Sequence, residues 1–182
     1  MSVLKEPEPA KLITSLFMKD TTLLADIFSL LEEKFGRADM VSRWFDFDFT
    51  SYYHREMGTP LFRRMVVFEP LVGQADLAGI KQECMRMETL YQRGENRRIN
   101  IDPGYLVPSR FILATGKDYA HRICIGKHVY ADLTLIYKNH DFAPLEWTYP
   151  DYADRRMRDF LLKVRAKYLM DKKRSTPENF YD

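Results

Sequence analysis

The sequence predicts an α+β protein built on an antiparallel sheet. Three observations carry this. Helical stripes occur at Leu24–Phe35, Leu77–Tyr91 and Met157–Tyr168. Between them lie short apolar or alternating runs bounded by glycine, proline and asparagine, the pattern of strands and turns. The first half also runs strand, helix, strand, strand, helix.

Residues 1–10 include KEPEPA and read as a loose leader. Leu12–Met18 (LITSLFM) carries no charge and is too short for a helix, so it predicts a buried strand. Asp20, Thr21 and Thr22 are cap candidates. Leu24, Ile27, Phe28, Leu31 and Phe35 then fall on one helix face. Lys34 in the last turn and Gly36 just beyond it end that helix.

Val41–Phe49 alternates, with Phe45, Phe47 and Phe49 on one side and Trp44, Asp46 and Asp48 on the other. Thr50–Pro60 reads as a loop and Leu61–Phe68 as a returning strand. A helix over Ala75–Tyr91 carries Leu77, Ile80, Cys84, Met87 and Tyr91 as its apolar stripe, with Lys81, Glu83 and Arg86 outside. One more strand, at Ile99–Ile101 or Phe111–Thr115, completes a ferredoxin-like (split βαβ) sheet with two helices on one face.

The second half predicts a β-meander over Phe111–Thr115, Arg122–Ile125, Tyr130–Tyr137 and Phe142–Trp147. Asp154–Met170 is the terminal helix, with Met157, Phe160, Leu161, Val164 and Tyr168 packing and its other faces thick with Arg and Lys. Lys172–Asp182 reads as a polar tail. No repeat or linker interrupts the chain, so residues 1–182 are expected to form one domain.

The composition is 46% hydrophobic, which is globular rather than disordered. Net charge is +2, from 28 basic and 26 acidic residues, so no global attraction to nucleic acid is expected. Cys84 and Cys124 lie far apart and predict two buried, reduced thiols. His54, His121, His128 and His140 lack zinc spacing. No apolar run approaches the ~20 residues of a membrane span. The expected compartment is the cytoplasm.

The densest chemistry lies between Arg97 and Arg122. Asp102-Pro103-Gly104-Tyr105 has the residues of a type II turn, which either serves geometry alone or presents Asp102 and Tyr105 to a pocket. Arg97 and Arg98 upstream could neutralise Asp102 or bind an anion. Thr115-Gly116-Lys117-Asp118, followed by His121-Arg122, reads as a hairpin tip or as an anion site. An imidazole ordinarily titrates near ~6.5, so His121 could serve as acid or base. A single strand over Leu106–Thr115 would hold these two turns ~30 Å apart, at ~3.3 Å per residue. They share a pocket only if Pro108 bends the connection.

No Gly-x-x-x-x-Gly-Lys-Ser/Thr loop occurs, which excludes a P-loop GTPase. Asp46, Asp48 and Glu56 could offer oxygen ligands to Mg²⁺ or form a solvated face. Tyr52-Tyr53 and Trp147–Tyr152 are aromatic loop clusters that could stack bases or close the core.

The segments Thr50-Ser51-Tyr52-Tyr53-x-x-Glu56-Met57-Gly58, Asn100-Ile101-Asp102-Pro103-Gly104-Tyr105, Ala114–Ile123 and Trp147–Tyr152 carry a resemblance. In that order they closely resemble an uncharacterised prokaryotic family, domain of unknown function 4416, over nearly the whole chain. The resemblance implies a single-domain cytoplasmic protein and brings no activity with it. Gly116 departs from the family pattern, where a second Thr is usual, so no hydroxyl role is carried over there.

The leading expectation is a protein that binds an anionic small ligand, a nucleotide or another phosphorylated metabolite. Arg98, Lys117, His121 and Arg122 would hold the anion, with Asp118 beside them. Asp102 and Tyr105 would orient it, and Glu56 or Asp151 would complete the site. One alternative is an RNA-binding or protein-interaction module using the loop aromatics and the basic last helix. Another is a metal-assisted phosphoryl-transfer or hydrolytic enzyme with Asp102 and His121 as its acid–base pair. The residues name no cofactor.

Overall fold

The computed structural model describes residues 3–175. They form a mixed α/β structure with five helices and a nine-stranded antiparallel sheet. The strands are β1 (Ala10–Met18), β2 (Ala38–Val41), β3 (Phe45–Asp46), β4 (Phe62–Val72), β5 (Ile99–Val107), β6 (Arg110–Thr115), β7 (Arg122–Cys124), β8 (Tyr130–Lys138) and β9 (Asp141–Pro144). The helices are α1 (Leu24–Phe35), α2 (His54–Met57), α3 (Leu77–Leu90), α4 (Pro150–Ala153) and α5 (Arg155–Ser175). The sheet runs β2-β4-β1-β5-β6-β8-β7, with β3 also on β4 and β9 also on β8.

β1 is central, and every one of its residues is buried. Side chains alternate across a strand, so it feeds two cores. Leu12, Leu16 and Met18 pack with Ile27 and Leu31 of α1 and Ile80, Cys84 and Met87 of α3. Ile13 joins Leu106, Phe111 and Leu135 against Met157, Leu161, Val164 and Tyr168 of α5 on the opposite face. Each such buried side chain favours the folded state by about 1.5–3 kcal/mol. The α5 stripe is the one its spacing predicts. Its cations are less free than the sequence suggests: Arg155 and Arg158 pair with Asp141, Arg156 with Asp154, and Lys167 with Asp39 and Asp171.

Several expectations need correction. Asp102-Pro103-Gly104 is not a turn but the middle of β5. Ile101 sends both its N–H and its C=O away from β1, towards side chains of α3. Two residues on, Pro103 turns its missing N–H to the same unpaired edge, where no ladder bond is lost. Gly104 is needed because a Cβ there would run into the carbonyl of Ile112 on β6. Val41–Phe49 is not one strand; β2 and β3 lie in succession along one edge of β4, through Met40↔Val67 and Phe45↔Arg63. Thr50–Pro60 contains the short helix α2. Lys81, expected outside, is buried, and Glu88 joins it on the inner face of α3. Cys84 is buried but Cys124 is exposed. The helix expected to end at Met170 runs to Ser175, so the start of the expected tail is helical. Residues 176–182 lie outside the described range.

Candidate functional site: an aromatic cavity at a parting of strands

The β5–β6 connection is a hairpin that turns at Pro108-Ser109, pairing Val107 with Arg110. The condition for the two polar segments to meet is therefore satisfied. The hairpin is zipped only as far as Gly104↔Leu113. Beyond that point β5 continues beside β1, to Ile99↔Met18, while β6 continues beside β8, to Thr115↔Tyr130. A cavity of about 440 Å³ opens here.

Strand pairing lays the floor as a row across one face of the sheet. Arg63 of β4 lies opposite Phe17 of β1, and Asp102 of β5 lies opposite Ser15. Across the gap, Leu113 of β6 faces Asp132 of β8, which faces Arg122 of β7. Phe47, Phe49, Tyr52 and Tyr53 form one wall; Tyr119, Tyr149 and Tyr152 form the other. The second wall is anchored to β8. The Trp147 indole N–H donates to Leu133 O at 2.8 Å, and the Thr148 hydroxyl donates to Thr134 O at 2.6 Å.

Two buried guanidiniums frame the floor. Arg63 donates to Asp151 and lies over the rings of Phe47 (4.4 Å) and Tyr152 (4.9 Å). Arg122 donates to Asp132 Oδ2 (2.9 Å), Lys117 O (3.1 Å) and Tyr149 Oη (3.1 Å), and lies over Tyr119. Its bond to Lys117 O folds the Gly116–Tyr119 loop over the cavity. Lys117 itself lies 4.2 Å above the Tyr52 ring, a cation–π contact.

Asp102 is held from behind. Its Oδ1 accepts from Lys81 Nζ at 2.9 Å and its Oδ2 from Asn100 Nδ2 at 2.6 Å. Burial pushes this carboxyl up, but Lys81, with Arg63 and Asn100, outweighs burial and holds it below its ordinary value. Lys81 and Glu88 also close the open edge of β5: Lys81 Nζ donates to Ile101 O at 3.1 Å, and Ile101 N donates to Glu88 Oε1 at 2.6 Å. Burial raises the Glu88 carboxyl.

The sequence-predicted residues divide cleanly. Asp102, Lys117, Arg122 and Asp151 line the cavity. Glu56 does not; it grips Arg97 with both oxygens, at 2.6 and 2.8 Å, and so ties α2 to the start of β5. Arg97 pulls the Glu56 carboxyl below its ordinary value through those bonds. Arg98 pairs with Asp20 on the surface at 2.9 Å. Tyr105 is buried in a different cluster, with Leu77 and Ala78 of α3. Asp118 is exposed, and its charge pushes the Tyr130 hydroxyl up. His121 stacks on Trp147 (5.0 Å, 13°) and its Nε2 lies 3.5 Å from Asp132, whereas Asp102 has Lys81 and Asn100 as partners.

Sequence reasoning missed Arg63. Its signal is parity: it lies two and four residues before Met65 and Val67, both facing the core, so it shares their face. Among the described residues, no group of three or more His, Cys, Asp or Glu could hold a metal ion. No helix among them is long and apolar enough to cross a membrane.

The fold and cavity define the class: an α+β protein whose sheet parts to form an aromatic-walled, ion-paired pocket. The family described as domain of unknown function (DUF4416) matches residues 8–168, and the chain belongs to it. No curated protein and no solved structure matches the chain.

Proposed function

We propose that this protein binds a small anionic ligand with a planar ring, a nucleotide or a similar phosphorylated metabolite, in the β5–β6 cavity. One observation carries the reading: four segments far apart in sequence bring stacking rings and cations to a single cavity. Its volume lies within the ~300–1,000 Å³ of small-molecule sites. Tyrosine rings supply stacking faces, Lys117 supplies the charge for an anion, and the walls exclude water from one side. The order β2-β4-β1-β5, with α1 and α3 over one face, supports a ferredoxin-like split βαβ in the first half. β6–β9 then extend it as a meander, and the one continuous sheet supports a single domain.

A thermal-shift series with nucleotides and phosphorylated metabolites tests the reading. A ligand at 100 times its Kd stabilises by about 2.7 kcal/mol, or roughly 5–10 °C for a chain of this size. Lys117→Ala and Tyr119→Ala should each shrink that shift. Shifts identical in both variants would place the ligand elsewhere.

A second reading, single-stranded RNA on the rim, rests on the exposure of Tyr52 (64%), Tyr119 (49%) and Tyr149 (44%). The ion pairs of Arg155, Arg156, Arg158 and Lys167 reduce the support from α5. A salt-dependent affinity for oligoribonucleotides that exceeds mononucleotide affinity would favour it. The separate partners of His121 and Asp102 lend no support to an acid–base pair.

A further inference from the structure

We propose that the cavity selects a bipolar ligand: a ring edge bearing a hydrogen-bond donor, joined to a single anionic group. For a nucleotide, this means the monophosphate rather than the polyphosphate. The inference rests on the ligand-binding reading above and sharpens it.

The charges of the lining carry the first half. Arg63, Lys117 and Arg122 are its cations; Asp102, Asp132 and Asp151 are its carboxylates. Two of the cations are already answered from within, Arg63 by Asp151 and Arg122 by Asp132. Arg122 has all three nitrogens engaged. Among the described lining residues, Lys117 is then the cation with no carboxylate partner. One ammonium answers one anionic group. A chain of phosphates reaching further in would find no second unpaired cation, because Arg63, Arg122 and the Lys81 behind Asp102 are already answered by carboxylates, and a sheltered charge without a partner is costly.

An unspent hydrogen-bond acceptor carries the second half. Asp102 receives one bond on each oxygen, and a carboxylate oxygen has room for a second. Its side chain keeps 28% of its surface open. Lys81 and Asn100 hold it as an ionised acceptor. An open acceptor fixed in this way complements a heterocycle edge that offers an N–H or amino donor, as nucleobase edges do.

The test is isothermal titration of the purified full chain with the nucleoside, monophosphate and triphosphate of each common base, at one salt concentration. The monophosphate of at least one base should bind tenfold or more tighter than its nucleoside, and the triphosphate no tighter than the monophosphate. Lys117→Ala should bring the monophosphate down to the affinity of the nucleoside. Asp102→Asn should weaken nucleoside and monophosphate together, by about tenfold; if that variant is unfolded by circular dichroism, Lys117→Ala and the three-ligand ranking still decide. A triphosphate that binds tenfold tighter than the monophosphate overturns the single-anion selection alone. No binding anywhere in the panel overturns the ligand reading and this inference with it.

Discussion

Replacing Arg63 with methionine should be among the costliest single changes in the sheet. The Arg63 and Asp151 side chains are 5% and 9% exposed, so neither can recover hydration if the other is lost. Methionine fills much of the slot between Phe17, Phe47 and Tyr152 and keeps the apolar contacts. What it removes is the guanidinium, which leaves the Asp151 carboxylate buried and alone. Breaking one side of a buried pair costs about 3–5 kcal/mol. At roughly 2–4 °C per kcal/mol for a chain this long, Tm should fall by about 6–20 °C. Urea unfolding should show a lower midpoint at unchanged slope. Arg63→Met combined with Asp151→Asn removes the stranded charge, so the double variant should lose about 1–3 kcal/mol less than the two single losses added together. A loss below about 1 kcal/mol in Arg63→Met, or strict additivity in the cycle, would refute the view that this pair is a coupled, desolvated unit.

Other outcomes follow from the same geometry. Gly104→Ala should cost about 2–4 kcal/mol in chemical denaturation, because the Ile112 carbonyl it meets is backbone and cannot swing aside. The Glu88 carboxyl is raised above its ordinary 4.5 by burial, so wild type loses stability as pH rises through that raised value. Relative to wild type, Glu88→Gln should therefore gain stability between about pH 4.5 and neutrality in a pH series of melts; a constant difference would exclude the linkage. Asp102 has the opposite sign. Its folded pKa is depressed, so its contribution is present at neutral pH and lost only as pH falls below its ordinary 3.8. Asp102→Asn should accordingly see its stability deficit shrink in melts as pH falls below 3.8. Iodoacetamide on the native protein should alkylate Cys124 and spare Cys84, which is buried and whose thiol burial pushes up. Mass spectrometry should count one adduct native and two after denaturation.

The helices were the most legible part of the sequence. The stripes of α1, α3 and α5 reflect burial on one side, and that periodicity needs no knowledge of partners. The strand edges were not legible, because they depend on what lies alongside. Asp102-Pro103-Gly104 has the composition of a turn, yet Lys81 and Glu88 supply the bonds that let it remain extended. Reading Lys81 as solvent-facing followed from charge alone; its spacing from Leu77 and Cys84 places it on the packing face. Of the site, Asp102, Lys117, Arg122 and Asp151 were found from their local chemistry. Tyr105 was misplaced because it lies three residues from Asp102 along β5, an odd step that turns it to the opposite face from Asp102 and Leu106. Arg98 and Asp118 were chosen for charge, and both are spent on surface contacts.

The parting of β5 and β6 has a consequence for assembly of the chain. The cavity floor needs β4, β1, β5, β6, β8 and β7 in register, and Tyr149 and Tyr152 of its second wall come after all of them. No short contiguous fragment holds the pocket. β1 meets β4 and β5 only across long intervening stretches of chain, the kind of contact that forms slowly. Occupancy of the cavity would thus report completion of the whole sheet rather than any local piece of it. A nascent chain halted before Tyr149 would display an open, tyrosine-rimmed slot with two buried arginines, one of them lacking its carboxylate.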